Sequence, residues 1–284
     1  VSEKKKLSQH ISKLIIAAEI HITELMDEKR LALHSNHGLF QMAGLLALSK
    51  SIPILKSAES GFNFALKNIQ EMLVEHFCED GFHKEHSTMY HMYVSNYLHQ
   101  LEESNWVVSD DLLSNLAKKS KLSVERMVMP DGYFTPIGDS SLSNSASSLC
   151  LFDIHVDSKG TASCPPGIHY SSEGGIAIVS TYDSEGVADE HLVLSGQFHS
   201  RQHKHADDLS INFCTKGQRY LIDAGTFTYH YDQPERMYVE STRAHNTVEI
   251  DGLNFSRFRL DKYGSALTWV AKYGECTILE GVLN

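Results

Sequence analysis

Residues 202–210, which read QHKHADDLS, form the densest cluster of side chains in this chain that could perform chemistry. His203 and His205 alternate just before a predicted strand, and side chains two residues apart point to the same side of an extended backbone. Imidazoles bind metal ions and transfer protons near neutral pH. A solvated polar loop is the alternative interpretation of this segment alone, because exposed histidine pairs are common. The spacing would let one strand entrance present both rings to one cavity.

Two later segments each place one polar ligand beside an apolar, strand-like stretch. Asp223 lies in LIDAGT at the end of one predicted strand, and His245 lies in AHNT before another. With His205 they make two imidazoles and one carboxylate, which suits zinc better than magnesium or calcium, because those ions prefer all-oxygen shells. The chain between them is long enough for β-excursions that return to one end of a sheet. These segments therefore predict a zinc site with an open coordination position.

Residues 203–252 contain three motifs in order, HKHADDLSINF, LIDAGTFTY and RMYVESTRAHNTVEIDG. This stretch resembles the signature of the heparinase II/III-like family, whose members include heparin, heparan and alginate lyases. The resemblance implies that His205, Asp223 and His245 bind a zinc ion. It also implies that His203 lies near the substrate rather than on the metal. The ion is then expected to join three loops and to hold His203 in place.

The first half of the chain carries two further motifs of this family. In SNHGLFQ, Asn36 is the predicted N-cap of a helix and His37 falls in its first turn. The family has an Asn–His pair here that contacts the uronic carboxylate and the reacting carbon. Residues 80–91, DGFHKEHSTMYH, resemble its DGxxxExSxxYH stretch, which makes Tyr90 the expected proton-transfer residue. From the residues alone, an ordinary capped helix and a core tyrosine on an apolar stripe stay open as alternatives.

Neighbouring residues are expected to assist at the same site. Phe227 stands where many relatives have tyrosine, which leaves Tyr229, Tyr231 or Tyr238 to make that contact. Residues 129–139 resemble a PDG and GD turn of the family, and we interpret this turn as structural. The predicted substrate-binding residues are His91, Arg243, Tyr229 and Tyr238.

The elements that must position these residues change character partway along the chain. From Leu7 to about Met129 the apolar residues recur at helical spacing, with short polar breaks that contain Pro53, Asp80-Gly81 and Pro130. A Ser-rich connector over 140–148 follows. Short β-branched runs then predict antiparallel strands at 176–181, 191–194, 209–214, 220–222, 247–250 and 266–271.

This order predicts an α+β protein of two domains. Residues 1–140 are expected to form an all-helical, α/α toroid-like domain that lacks the earlier toroid helices of the family. Residues 141–284 are expected to form an antiparallel β-sandwich, without its last strands.

Composition restricts the partners of the chain. The formal net charge is −11, from 25 basic and 36 acidic residues, which argues against a nucleic-acid partner. An anionic polysaccharide would therefore be held by local groups. No apolar run reaches the roughly 20 residues that a membrane span needs. Five scattered cysteines without a CxxC pair predict neither a disulfide framework nor a thiolate zinc site.

The two ends of the sequence also carry expectations. The chain opens within a helical pattern and stops after strand-like residues, so we interpret it as a truncated member of the family. Its first residues are charged and unlike a signal peptide. The resemblance implies a periplasmic or secreted protein whose leader would lie outside this sequence, and it leaves a homodimer open.

The activity that the resemblance implies is β-elimination on a uronic-acid polysaccharide, with Tyr90 and His203 moving protons and Asn36 and His37 neutralising the carboxylate. Two alternatives stay open: a glycoside hydrolase and a non-catalytic carbohydrate-binding protein. Hydrolysis needs two opposed carboxylates, and the acidic candidates Glu85, Asp207 and Asp208 form no obvious pair in the sequence. The sequence does not choose among heparin-like, hyaluronan-like, alginate-like and capsular uronates.

Overall fold

The computed structural model describes residues 2–107, 111–143, 145, 165–199, 202–256 and 265–283. The chain forms two compact units, one made of Val1–His76 with Leu101–Ser114 and the other of Phe77–Gln100 with Asn115–Asn284. Each unit is described separately below.

The first unit is built from helices α1 (Ser2–Leu25), α2 (Asn36–Ser51) and α3 (Ala58–His76), with a short 3-10 helix at Glu28–Arg30. Gly61 lets α3 pack tightly, because a Cβ there would lie 2.8 Å from Ile22 of α1 and 2.8 Å from Ser49 of α2. Ile22 and Leu45 are fully buried in this core. The helical prediction for this part of the chain is confirmed.

The start of α2 differs from the sequence prediction. The cap position belongs to Ser35, whose backbone is extended (φ −145°, ψ 168°), and no side chain caps the helix there. The Ser35 hydroxyl donates instead to the carbonyl of Ala32 at 3.0 Å. Asn36 is the first helical residue and is buried, so its prediction as the N-cap is wrong.

Two helices connect the units in sequence, α4 (Thr88–Glu103) and α5 (Asp111–Arg126). The first turn of α4 is fixed from outside the helix by serine hydroxyls. The Ser140 hydroxyl accepts a hydrogen bond from Met89 N at 3.1 Å, and the Ser87 hydroxyl accepts one from Tyr90 N at 3.4 Å. These bonds satisfy two backbone N–H groups in the first turn of the helix, where Tyr90 lies.

The second unit contains an antiparallel five-stranded sheet whose strands follow chain order. They are β1 (Gly167–Ser171), β2 (Ile176–Tyr182), β3 (Ala188–Ser195), β4 (Ser210–Thr215) and β5 (Gln218–Leu221). Alternation along β2 separates the two faces. Ile176 and Ile178 pack with Met92, Val124 and other residues from the helical segments, whereas Ala177 packs on the opposite face.

A β-hairpin covers that opposite face. It consists of β6 (Ser265–Tyr273) and β7 (Cys276–Leu283), which pair antiparallel. Leu267 of β6 packs with Ala177 and Leu194, and its carbonyl accepts a hydrogen bond from the Tyr170 hydroxyl at 2.9 Å. The predicted class, helices followed by packed antiparallel sheets, is confirmed.

Two segments of the sheet half depart from the sequence prediction. Residues 247–250 form no strand, because the Asp251-Gly252 turn follows at once and only an isolated bridge joins Ile250 to Leu253. In addition, helix α6 (Pro234–Val239) and a 3-10 helix (Thr242–Ala244) lie between β5 and β6.

Other sequence predictions fall outside the described residues. Residues 144 and 146–148 of the Ser-rich connector lie there, as do Cys150 and Cys164. The domain boundary at 140/141 stays a prediction. Among the helices of the described residues, none is both long and apolar enough to cross a membrane.

Candidate functional site

A stacked pair of rings lies at the centre of the candidate site. Tyr90, in the first turn of α4, and His203, in the loop before β4, have ring centroids 3.6 Å apart and planes inclined by 15°. The Tyr90 hydroxyl lies 3.1 Å from the Tyr229 hydroxyl. The Tyr229 ring meets His203 edge-on, with centroids 6.4 Å apart. The structure thus brings together three predicted site residues that are far apart in sequence.

The loop that carries His203 is docked against a tight turn at Gly138. His203 itself has a left-handed backbone (φ 58°), as does Gly138 (φ 54°). A side chain on residue 138 would collide with the carbonyl oxygens of His203 and His86. Asp139 N donates to the His203 carbonyl at 3.0 Å. Only glycine therefore allows this approach, which places the Asp139 carboxylate under the histidine loop.

Asp139 is bonded to three other buried or half-buried side chains. Its Oδ2 accepts from His203 Nδ1 at 3.0 Å, and its Oδ1 accepts from His205 Nε2 at 3.0 Å. Arg236 donates to both oxygens, through Nη1 to Oδ1 and through Nη2 to Oδ2 at 3.1 Å. Burial alone would raise the pKa of this carboxyl, but the bonds from His203, His205 and Arg236 hold the pKa well below its usual range.

Arg236, on α6, is 1% exposed. A buried guanidinium needs anionic partners, and besides Asp139 it has Glu240, whose Oε1 lies 2.6 Å from Nη2. Its guanidinium carbon also lies 5.7 Å from the ring centre of Tyr229. Sequence reasoning missed Arg236 as a site residue, and it interpreted the turn with Asp139 as structural only. The available signals were the GD motif for Asp139 and the place of Arg236 at the start of the motif RMYVESTRAHNTVEIDG.

The predicted metal ligands converge as expected. One ligand atom from each of His205, Asp223 and His245 lies within 4.8 Å of the others, and all three residues are buried. His205 Nδ1 and His245 Nε2 are buried without a hydrogen-bond partner. His245 Nδ1 lies 2.6 Å from Asp223 Oδ2. Because unpaired buried polar atoms are costly, two bare imidazole nitrogens beside a carboxylate fit a metal ion well.

Sheet strands position these ligands. Asp223 follows β5, and its backbone N–H donates to the Asn212 side chain of β4 at 2.9 Å. His245 follows the 3-10 helix instead of preceding a strand, which corrects the sequence prediction. Its neighbour Asn246 accepts a bond from Ile211 N of β4 at 3.1 Å and donates to the carbonyl of Ile222 at 2.9 Å. Strand β4 and the end of β5 thereby hold both ligands.

Two of the three acidic candidates for hydrolysis, Asp207 and Asp208, are occupied elsewhere, whereas Glu85 Oε2 lies 4.0 Å from His203 Nε2. Lys204 is buried, and its Nζ lies 3.3 Å from Asp207 Oδ1 and 3.2 Å from Asp208 Oδ1. Burial opposes ionisation of Asp207, yet the adjacent Lys204 ammonium lowers the pKa of this carboxyl. Asp207 and Asp208 therefore form a neutralised core cluster with Lys204 and not an opposed acid–base pair.

His91 lies in the core and is not part of the ring cluster. It stacks on Phe82 with centroids 5.3 Å apart, and its Nε2 is 2.9 Å from the Ser123 hydroxyl. Burial lowers the pKa of His91 to about 3, which keeps the ring neutral. One residue along a helix turns the side chain by about 100°, so His91 faces away from the position of Tyr90. His91 is 4% exposed, so this structure gives no support to its predicted contact with substrate.

The other predicted residues lie at the surface or in the first unit. Arg243 is exposed and makes a two-pronged ion pair with Glu249, at 2.9 and 2.6 Å. Tyr238 on α6 is exposed. In the first unit, Asn36 is buried and His37 is exposed at the start of α2. The predicted approach of Asn36 and His37 to Tyr90 stays a prediction.

Comparisons with known proteins cover most of the chain. Residues 10–149 match the family described as heparinase II/III N-terminus, and residues 171–272 match the one described as heparinase II/III-like, C-terminal. A search of curated protein sequences gave no significant match.

Solved structures agree with these family matches. A crystal structure of heparinase III is 18% identical, with a TM-score of 0.71, covering 94% of this chain and 45% of that one. A mutant heparan sulfate lyase from Pedobacter heparinus is 17% identical, with a TM-score of 0.69, covering 92% of this chain and 43% of that one. The chain thus spans less than half the length of these structures, which show its fold.

Proposed function

Because the chain belongs to the heparinase II/III-like family, we propose that it is a polysaccharide lyase that cleaves a uronic-acid-containing polysaccharide by β-elimination. The observation that carries this proposal is the stacking of Tyr90 on His203, with the Tyr229 hydroxyl beside the Tyr90 hydroxyl. These side chains supply proton-transfer groups without an opposed carboxylate pair. The heparan sulfate lyase among the similar structures acts on a substrate of this class.

Elimination requires two proton transfers at one sugar ring. A base removes the proton beside the uronate carboxylate, a double bond forms, the glycosidic carbon–oxygen bond breaks, and an acid protonates the departing oxygen. Charge builds on the carboxylate in the transition state, so that group must be neutralised. Asn36 and His37 are proposed for this role, with Arg243 as the cationic alternative.

The surroundings of the two rings favour Tyr90 as the acid and His203 as the base. Burial raises the pKa of Tyr90, and the nearby Asp139 and Glu85 carboxylates raise it further, against the opposing hydrogen bond from Tyr229. Tyr90 is therefore a protonated phenol at neutral pH and serves as the acid. His203 has Nδ1 bonded to Asp139, which leaves Nε2 to accept the sugar proton. Tyr229 orients the Tyr90 hydroxyl.

The donor set of His205, Asp223 and His245 is proposed to hold zinc. Two imidazoles and a carboxylate are ligands that zinc accepts, with a fourth position left for water or a further side chain. When bound, the ion supplies a structural tie between the loop before β4, the end of β5 and the segment after the 3-10 helix. His203, two residues from His205, is then held against Tyr90.

A panel of uronate polysaccharides tests the activity. The purified chain is mixed with heparin-like, hyaluronan-like, alginate-like and capsular substrates, and the ultraviolet absorbance of unsaturated uronates is followed. We expect turnover on at least one of them and its loss in Tyr90→Phe. Tyr93→Phe is the matched control, because Tyr93 lies on the same helix and meets the Tyr90 ring edge-on at 6.3 Å. Full activity in Tyr90→Phe would remove Tyr90 from the reaction.

The partners and place of action follow from this activity. The substrate is an anionic polysaccharide or oligosaccharide, bound by local groups despite the net charge of −11. A periplasmic or secreted location suits such a substrate.

A further inference from the structure

We propose that Asp139 is a positioning residue that fixes the ring tautomers of both His203 and His205, and so couples the metal site to the proton-transfer site. The inference rests on the proposed function for the role of His203. It concerns a residue that the motifs place in a turn and to which they give no chemistry.

The two oxygens of the Asp139 carboxylate each contact a different imidazole. Oδ2 of Asp139 contacts His203 Nδ1 at 3.0 Å, and Oδ1 contacts His205 Nε2 at 3.0 Å. Arg236 also donates to both oxygens. An ionised carboxylate has only acceptor atoms, so His203 Nδ1 and His205 Nε2 must each carry a hydrogen. The hydrogen-bond pattern therefore assigns a tautomer to each ring.

Each tautomer leaves the opposite nitrogen with a lone pair. In His205 that nitrogen is Nδ1, which is buried without a hydrogen-bond partner and belongs to the group with Asp223 and His245. In His203 it is Nε2, which lies 4.0 Å from Glu85 Oε2, beyond hydrogen-bond distance, on a ring that stacks on Tyr90. Asp139 thus prepares one histidine to bind a metal and the other to accept a proton.

Arg236 keeps the carboxylate from rotating. Its two terminal nitrogens contact the two oxygens of Asp139, and Glu240 Oε1 lies 2.6 Å from Nη2 on the other side. A two-pronged guanidinium–carboxylate pair has fixed geometry. Because each Asp139 oxygen also receives one imidazole, this fixed carboxylate sets the positions of His205 and His203 together.

The first experiment needs no substitution. Nitrogen chemical shifts of isotopically labelled histidines in the full chain, with and without zinc, report which ring nitrogen carries hydrogen. We expect His203 to be protonated at Nδ1 and His205 at Nε2, with His205 Nδ1 shifting when zinc is added. The reverse tautomer in either ring would overturn the proposal.

The second experiment uses Asp139→Asn, which keeps the shape but replaces one acceptor oxygen by a donor. One imidazole must then lose its bond or flip. We expect zinc affinity, measured by competition with a chromophoric chelator, to fall by about 10- to 100-fold. We expect kcat on the responsive uronate to fall while KM changes little. Asp131→Asn is the matched control, because Asp131 pairs with Arg219 outside this cluster at 2.5 Å.

The outcomes separate this inference from the proposed function. Unchanged zinc affinity and unchanged tautomers in folded Asp139→Asn would show that Asp139 only fills space. Weaker zinc binding with an unchanged His203 tautomer would overturn the coupling. A wild-type chain that turns over no uronate but shows the expected tautomers and zinc affinities would refute the proposed function while supporting the role of Asp139 in positioning both rings.

Discussion

Lys204 offers a quantitative test of how the core beside the site is built. Its side chain is 2% exposed, between Asp207 and Asp208, whose side chains are 5% and 8% exposed. Lys204→Met keeps the length of the side chain and removes its charge. Two carboxylates then stay buried without their cation. Breaking a buried ion pair in this way costs about 3 to 5 kcal/mol, because the remaining charge loses its partner but stays out of water.

Urea unfolding at neutral pH measures this cost, at a fixed zinc concentration because a bound ion shifts apparent stability. We expect the unfolding free energy of Lys204→Met to fall by about 3 to 5 kcal/mol. Lys67→Met is the matched control. The Lys67–Glu71 pair has an N–O distance of 3.7 Å, and its side chains are 74% and 65% exposed. Its loss should change stability by less than about 0.5 kcal/mol.

The result that would refute this reasoning is equal stability of the two variants. If Lys204→Met cost no more than Lys67→Met, Asp207 and Asp208 would not depend on a buried cation. They would then be candidates for the pair of carboxylates that hydrolysis requires.

Three further predictions concern pH, the second tyrosine and the metal. Burial lowers the pKa of His191 to about 4, so its neutral form stabilises the fold above about pH 6.5. As the pH falls towards 4, up to about 3 kcal/mol of this stability is lost. Parallel curves of stability against pH for wild type and His191→Gln would contradict this prediction. Tyr229→Phe removes the hydroxyl 3.1 Å from that of Tyr90 and should lower kcat by about three- to tenfold with little change in KM. An unchanged kcat in steady-state assays would show that this hydroxyl contact has no role in turnover. Chelation or His245→Ala should lower the melting temperature, since zinc at 100 times its Kd adds about 2.7 kcal/mol to the free energy of unfolding. An unchanged melting temperature, together with no stoichiometric metal by elemental analysis, would contradict the proposed metal site.

Much of the framework was predictable because it depends on local periodicity. The apolar spacing of the first half indicates helices, and the short β-branched runs indicate strands. The strand prediction for residues 247–250 was wrong because a strand needs a neighbouring strand to pair with. The turn at Asp251 leaves these residues only an isolated bridge. Asn36 fails as a cap because Ser35, one position earlier, already has the extended backbone of a cap residue.

The site was predictable only where residue types carry chemistry in themselves. Imidazole and carboxylate groups at strand ends indicated a metal site, and the family resemblance selected His205, Asp223 and His245, which the structure groups. Asp139 and Arg236 could not be chosen in that way. An aspartate in a Gly-Asp turn and an arginine on a short helix are common features, and their pairing depends on a tertiary contact across 97 residues of sequence.

We propose that the chain breaks glycosidic bonds by elimination and not by hydrolysis. The most direct measurement is cleavage of a responsive uronate polysaccharide in water enriched in heavy oxygen, followed by mass spectrometry of the new chain ends. Elimination adds no water, so we expect an unsaturated end and no more heavy oxygen at the reducing end than an unreacted reducing sugar exchanges with the solvent. Saturated new ends, with heavy oxygen incorporated faster than this exchange, would contradict it.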